Sequence, residues 1–315
     1  MPDITETRIR FAPARLTHIN LFVSDLSRSL QFYQEVCGLQ MVFDEPGIAA
    51  VFLSNGNSHH DVALMQASNA QREGRDGHVQ VAASRGSTPG LNHLGFEVST
   101  ETQLVEAIIR AQSAGFGLHR LVDHQISHST YFFDPDRTYL ELYADAARDW
   151  RDVYRQCEGE LLSGDWNPHA NPPNSVSLTD PSPAITRVES AAMHPIRTAR
   201  ARLKVSDLEA STTFYRNIVG MSVVDAPELA PKGGVALAGN LGHPDLTLIQ
   251  AADGDRIGLD TVSFEVDGAE ELATGVERLR LLGTNILTET KADSATAVTV
   301  MDPDGLKVEF FSDLD

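Results

Sequence analysis

Residues 16–23 read LTHINLFV, an apolar strand in which Thr17, Ile19 and Leu21 face opposite to His18 and Asn20. The period then changes. SRSLQFYQEV places Leu30, Phe32, Tyr33 and Val36 at helical spacing and stops at Gly38. LQMVF, AAVFLSN and HDVALMQA follow as three strand-like runs. The order β-α-β-β-β then recurs. LNHLGFEVS is a strand, TETQLVEAIIRAQSAG is a helix that starts at the Thr and Glu residues of 100–102 and closes at Gly115, and strands are expected near 118–122, 128–133 and 138–143.

The whole arrangement repeats in the second half of the chain. Asp207 lies 182 positions after Asp25, and VSDLSRSLQFYQEVCGLQMV lies on VSDLEASTTFYRNIVGMSVV without a gap. LNHLGFEV lies on LDTVSFEV, and FFDPDRTYLELY on VMDPDGLKVEFF. The copies differ where chemistry is expected: His18 becomes Arg200 and His93 becomes Thr261, while Glu141 is matched by Glu309. Only the first copy offers two imidazoles and a carboxylate. Glu309, without histidine partners, reads as a satisfied polar residue.

The fold class expected is α+β, with tandem βαβββ units forming two curved, mixed-sheet, barrel-like domains. The boundaries are 14–145 for a metal-bearing domain (units 16–67 and 90–143), 146–194 for a helix and Pro-rich linker, and 195–315 for a second domain without metal. Residues 145–162 read as helical, with Trp150, Val153, Tyr154 and Cys157 on one side. Residues 68–90, polar and rich in Gly and Ser, read as a surface loop long enough to suggest a lid or an oligomer contact.

Composition narrows the function. The net charge of −19 argues against nucleic acid and anionic membranes as partners. No run of 18 apolar residues exists, and the first residues lack the apolar core of a signal peptide. Cys37 and Cys157 are too few for a disulfide framework. These features lead to the expectation of a cytoplasmic protein. Eight of the 11 histidines fall before residue 130, a local enrichment that suggests metal or acid–base chemistry.

His18, His93 and Glu141, each on its own strand, fit a 2-His-1-carboxylate facial triad, which leaves three positions of an octahedral ion open. Without a thiolate the set suits Fe(II) or Mn(II), with zinc also acceptable. With these residues at matching places in repeated βαβββ units, the chain resembles the vicinal oxygen chelate superfamily, and within it the type I extradiol ring-cleavage dioxygenases of the catechol 2,3-dioxygenase group. The resemblance covers residues 16–143 and, in degenerate form, 197–312.

That resemblance implies iron ligands at His18, His93 and Glu141, and an acid/base histidine at His60 in HHDVAL. It implies substrate-facing roles for His124 in DHQIS and for Tyr131. The implied reaction inserts both atoms of O2 into a small catecholic substrate beside the diol, in an enzyme that is a homo-oligomer. The sequence departs from the family at Gln125, where Gly is usual, and at Arg137-Thr138, where Gly-Asn is usual.

Strand alternation sends His59 and His60 in opposite directions, leaving His59 for solvent or a neighbouring loop. His78, His119 and His128 read as surface or structural, with His128 the one to examine for closeness to the metal. Two other readings compete. A glyoxalase-like lyase or epimerase of the same superfamily would use His60 or Asp61 as a fourth ligand. A binding module of the bleomycin-resistance type would lack the His-His-Glu set.

Overall fold

The computed structural model describes residues 8–158, 160–230, 233–291 and 295–313. The first half runs β1 (Arg15–Val23), α1 (Leu26–Glu35), β2 (Gln40–Glu45), β3 (Ala50–Ser54), β4 (Val62–Gln66), the short ribbon β5 (Arg72–Glu73) and β6 (Val79–Val81), β7 (Gly90–Glu97), α2 (Glu101–Ser113), β8 (Arg120–Asp123), β9 (Ser127–Phe133), β10 (Tyr139–Asp145), α3 (Trp150–Gln156) and β11 (Gly164–Asp165). The second half runs β12 (Pro195–Val205), α4 (Leu208–Phe214), β13 (Ser222–Val224), β14 (Val235–Ala238), β15 (Pro244–Gln250), β16 (Gly258–Val266), α5 (Gly268–Leu281), β17 (Ile286–Lys291), β18 (Ala295–Met301) and β19 (Lys307–Asp313).

Each half builds one mixed sheet. The first has the order β11-β8-β9-β10-β7-β1-β4-β3-β2 and the second β13-β14-β15-β12-β16-β19-β18-β17. The two βαβββ units of a half meet at an antiparallel seam, β1 on β7 and β12 on β16, and each unit's first strand is parallel to its last. The seam sets His18 opposite Gly95, and the parallel pair β7/β10 sets Glu141 opposite the same glycine. Three strands thereby converge on one point.

The shared Ser-Asp before each half's first helix is a cap. The Asp25 carboxylate accepts Arg28 N–H at 3.0 Å and the Asp207 carboxylate accepts Ala210 N–H at 2.9 Å. Thr100 does the same for α2 through Gln103 N–H.

The halves touch through duplicated contacts. Leu16 N–H donates to Asp245 Oδ1 at 2.9 Å, and Thr198 N–H donates to Asp61 Oδ1 at 3.2 Å. Tyr33 O–H reaches Asp302 at 3.2 Å, and Tyr215 O–H reaches Asp134 at 3.0 Å. Ser24 N–H meets Asp304 and Ser206 N–H meets Asp136, each at 2.9 Å. This is the self-complementary geometry of a two-fold dimer interface, built inside one chain. The DPD motifs are therefore part of the fastening between the halves. One apolar cluster runs through both, from Leu16 and Ile19 to Leu203 and Leu248.

Three sequence expectations change. The helix expected over residues 145–162 is only α3, because Asp149 caps its start and the chain turns at Cys157. The linker is not all linker: Gly164–Asp165 adds β11 to the first sheet, and Trp166 stacks on His128 at 4.6 Å. Residues 68–90 hold the ribbon β5/β6 and are tied down, Arg75 to Asp123 at 2.7 Å and Gln80 to Ser163 at 2.9 Å. No helix among the described residues is long and apolar enough to cross a membrane.

Candidate metal centre

Glu141 Oε2 lies 3.0 Å from His18 Nε2 and 3.0 Å from His93 Nε2. His18, His93 and Glu141 are all buried. Cis donors on an octahedral ion with bonds of about 2.1 Å stand about 3.0 Å apart, so this spacing matches what such an ion needs. Burial by itself raises the Glu141 pKa, but the hydrogen bonds and charges of His18 and His93 outweigh it and hold the carboxyl well below its usual range. Burial pushes His93 the other way, toward the neutral ligating form, with Glu141 opposing.

Neighbours orient this set. Ser129 O–H donates to Glu141 Oε1 at 2.6 Å. Thr17 O–H donates to the Gly95 carbonyl and accepts from Tyr143 O–H at 3.0 Å, so its oxygen is left to take an N–H from His18 Nδ1, 3.3 Å away. With a cation in place of the His18–Glu141 hydrogen bond, a proton on Nδ1 would free the Nε2 lone pair to bind it alongside the carboxylate.

His60 packs its ring 4.1 Å from the His18 ring and 5.1 Å from Phe52. Neither His60 ring nitrogen finds a partner among the described residues. Burial pushes its pKa well below the ordinary value, with His18 and His59 adding to the effect, so the ring is neutral. His124 Nε2 and Tyr131 O–H are 2.9 Å apart, and His124 Nε2 is 3.8 Å from Glu141 Oε1. Burial lowers His124 to about 4 and keeps the Tyr131 hydroxyl protonated. All six residues proposed from sequence are thus brought together. A cavity of about 50 Å³ connects His59, His60, His93, His124, Tyr131 and Glu141.

His59 is a correction: it is buried, 3% exposed, and its ring lies 5.6 Å from that of His18. Strand alternation does not apply, because β4 begins only at Val62 and residues 55–61 form a bend that turns both rings the same way. His128 sits away from the centre, 2.7 Å from Glu101 and stacked on Trp166. His119 bonds the Tyr139 hydroxyl at 2.7 Å and His78 bonds Asp76, both structural contacts.

Sequence reasoning missed several cavity residues. Glu45 is buried on β2, accepts Leu162 N–H at 2.6 Å, and is raised to about 7 by burial despite that bond. Tyr154 of α3 closes the cavity with Phe52. No local pattern singles these out, since they come from separate elements. Gly95 did carry a signal, a glycine inside a strand and two residues past His93. Gln125 and Arg137 both hold the left-handed backbone that glycine favours, φ 65° and 68°, as does Gly305 at the place matching Arg137, φ 88°.

Comparison with known proteins places the chain by family and by fold. The model of the glyoxalase/bleomycin resistance protein/dioxygenase superfamily matches residues 15–142 and 197–310. Biphenyl-2,3-diol 1,2-dioxygenase 3 of Rhodococcus globerulus is 29% identical over 131 residues, which is 42% of this chain and 63% of that enzyme. A lactoylglutathione lyase of Neisseria meningitidis serogroup A is 32% identical over 127 residues, 36% of this chain and 89% of the lyase. The crystal structure of the 2,3-dioxygenase LapB from Pseudomonas sp. KL28 superposes with a TM-score of 0.66 at 17% identity, covering 96% of this chain and 92% of that one, and shows the shared fold.

Proposed function

The chain belongs to the glyoxalase/bleomycin resistance protein/dioxygenase (vicinal oxygen chelate) superfamily, and we propose that within it the protein is an extradiol ring-cleavage dioxygenase acting on a catecholic substrate. His18, His93 and Glu141 would hold a divalent ion, Fe(II) or Mn(II). That ion would bind the diol and supply the redox chemistry that brings O2 to it.

The observation that carries this reading is His60. It is a buried, neutral imidazole with both nitrogens unpartnered, packed against the ligand His18 and open to the cavity. A neutral imidazole accepts a proton from a substrate hydroxyl on binding and can return it when the ring opens. Tyr131, kept protonated by burial, donates a hydrogen bond to a substrate oxygen, and His124 orients it across 2.9 Å. Phe52, Met65, Ile126 and Tyr154 line the same cavity and exclude water.

The alternative is a glyoxalase-like lyase or isomerase, which would draw a fourth ligand from the last strand of unit one. Asp61 is not available for that role. Its carboxylate accepts Asn55 N–H at 3.0 Å, Ser54 O–H at 3.1 Å and Thr198 N–H at 3.2 Å, at the junction of the halves. His60 and the adjacent His59 remain as candidates there, so this reading needs a fourth ligand that is an imidazole.

The test is anaerobic loading with Fe(II), addition of a catechol panel, and admission of air. A yellow ring-fission product supports the proposal. Absence of that product across the panel, with glutathione hemithioacetal turned over to a thioester instead, would establish the lyase.

A further inference from the structure

Arg85 is a part-buried cation close enough to the metal centre to act on His93, and no acidic partner faces it among the described residues. It lies in the segment 82–89 that follows β6, and that segment is held in place: Gly86 packs its backbone against Phe22, and Ser68 N–H donates to the Gly86 carbonyl at 2.8 Å. The Arg85 guanidinium lies 4.0 Å over the Tyr139 ring and donates through Nη2 to the carbonyl and side-chain oxygens of Asn92, each at 2.5 Å. These partners are neutral, and Nε and Nη1 make no hydrogen bond among the described residues. Burial lowers its pKa, with only the Tyr139 and Tyr131 rings opposing, and no carboxylate contributes. Arg137 and Arg256 also lack an acidic partner among the described residues, but they line only the outer cleft, whereas Arg85 also lines the inner cavity; the other cations nearby are paired. Lys204 and Lys307 pair with Asp260 at 3.7 and 3.0 Å, and Arg120 pairs with Asp165 at 3.4 Å.

Its position matters as much as its charge. The cavity at the metal centre shares Asn20, Met65, His93, His124 and Tyr131 with a second cavity of about 40 Å³. That second cavity shares Arg85, Asn92 and Tyr139 with a cleft of about 360 Å³ between the two halves. Arg85 therefore lies between the cleft and the cavity at the ligands, and Asn92, which it grips, is the residue before the ligand His93. A partly buried guanidinium with unused donors and no counter-ion is a site for a planar anion, which it would bind through two parallel hydrogen bonds.

We propose that Arg85 determines specificity, selecting catechols that carry a carboxylate on a ring substituent, with the diol at the metal ligands and the carboxylate paired to the guanidinium. This rests on the catechol-binding reading of the metal centre and names its substrate class. A neutral catechol would leave the charge of Arg85 uncompensated, so discrimination arises from both the pair formed with the acid and the pair missing with its neutral analogue.

The test is a binding measurement that needs no turnover. The full chain, loaded with redox-inert Zn(II), is titrated by calorimetry without oxygen with 3,4-dihydroxyphenylacetate, its amide and 4-methylcatechol. The wild type should bind the acid roughly tenfold or more tightly than either neutral ligand, a preference of the size of one charge-assisted pair. Arg85→Gln should abolish that ratio with zinc content retained, and Arg85→Lys should keep part of it. A wild type that does not distinguish the acid from its amide would overturn the proposal, with no variant needed. So would a folded Arg85→Gln protein that still prefers the acid. Failure of the iron-loaded enzyme to open any ring in air would refute the dioxygenase reading and leave this affinity ratio as it was measured.

Discussion

A Cβ added at Gly95 would lie 2.0 Å from His18 Nε2 and 2.1 Å from His18 Cε1. The imidazole rests directly on the backbone of β7, and only a residue without a side chain permits it. In the second half the matching residue is Ser263, whose hydroxyl donates to Glu309 Oε1 at 2.8 Å. The residue matching His18 is there Arg200, which instead lies 3.6 Å over Phe311 and pairs with Asp313 at 3.0 Å. The second half thus lost the space for a ligand ring as well as the ring.

Gly95→Ala tests this contact. The variant should fold, because the surrounding strand pairing is unchanged, but His18 must swing aside. Metal affinity should drop by about 10–100-fold, the usual effect of displacing a group that orients a ligand. Circular dichroism with metal analysis checks it, and full metal content in Gly95→Ala would show that His18 is not a ligand in this pose.

Removing a ligand should be more severe. His18→Ala and Glu141→Ala should each leave the protein without bound iron. Elemental analysis after anaerobic loading measures this, and an iron-replete, active variant at either position would reassign the centre.

His60→Phe separates chemistry from metal binding. Phe fills the space beside His18 and Phe52 but cannot carry a proton. Iron should remain, and kcat should fall by about 10²–10⁴-fold. Unchanged kcat would move the proton-transfer role to His59 or His124.

Asp134 should make folding pH-dependent. It is buried between the halves, accepts Thr138 N–H at 2.7 Å and Tyr215 O–H at 3.0 Å, and is raised to about 6, burial outweighing both bonds. Its folded pKa lies above the unfolded value of about 3.9, so the folded state holds the proton more tightly and stability contributed here declines as pH rises from about 4 through 6. Asn at this position imitates the protonated acid. Asp134→Asn should therefore gain stability relative to wild type by about 2 kcal/mol between pH 4 and pH 7, and denaturant melts at both pH values measure the change. A pH-independent difference would show that the carboxyl is ionised at little cost.

The halves should unfold together. Ile9 and Phe11 belong to the same buried cluster as Phe214 and Ile218, and Ala191 and Met193 pack on the turn at Gly38. The largest buried cluster belongs to both halves together. Calorimetry should show one transition, and two resolved transitions would mean that the duplicated interface contributes little.

Much of this was legible in the chain because the repeat compares the protein with itself. His18 against Arg200 and His93 against Thr261 stand out when the copies are aligned, and the Ser-Asp caps and terminal glycines fix the helix ends by local chemistry. His59 shows where such reading stops. Alternation is a property of a strand, and residues 55–61 are a bend whose direction depends on Asp61 bonding across to Thr198. The DPD motif is another case. The repeat makes it visible, but its partners Tyr33, Ser24, Tyr215 and Ser206 lie in the opposite half.

The order of elements, their duplication, and which half carries imidazole and carboxylate donors are all readable along the chain, since periodicity, capping and residue type act over a few neighbouring positions. The fold brings Glu141 Oε2 to 3.0 Å from both histidines and, among the described residues, leaves His60 without hydrogen-bond partners and Arg85 without a counter-ion. Those properties depend on strands and loops far apart in the chain sharing one volume, and on how much water is excluded there, which no local pattern encodes.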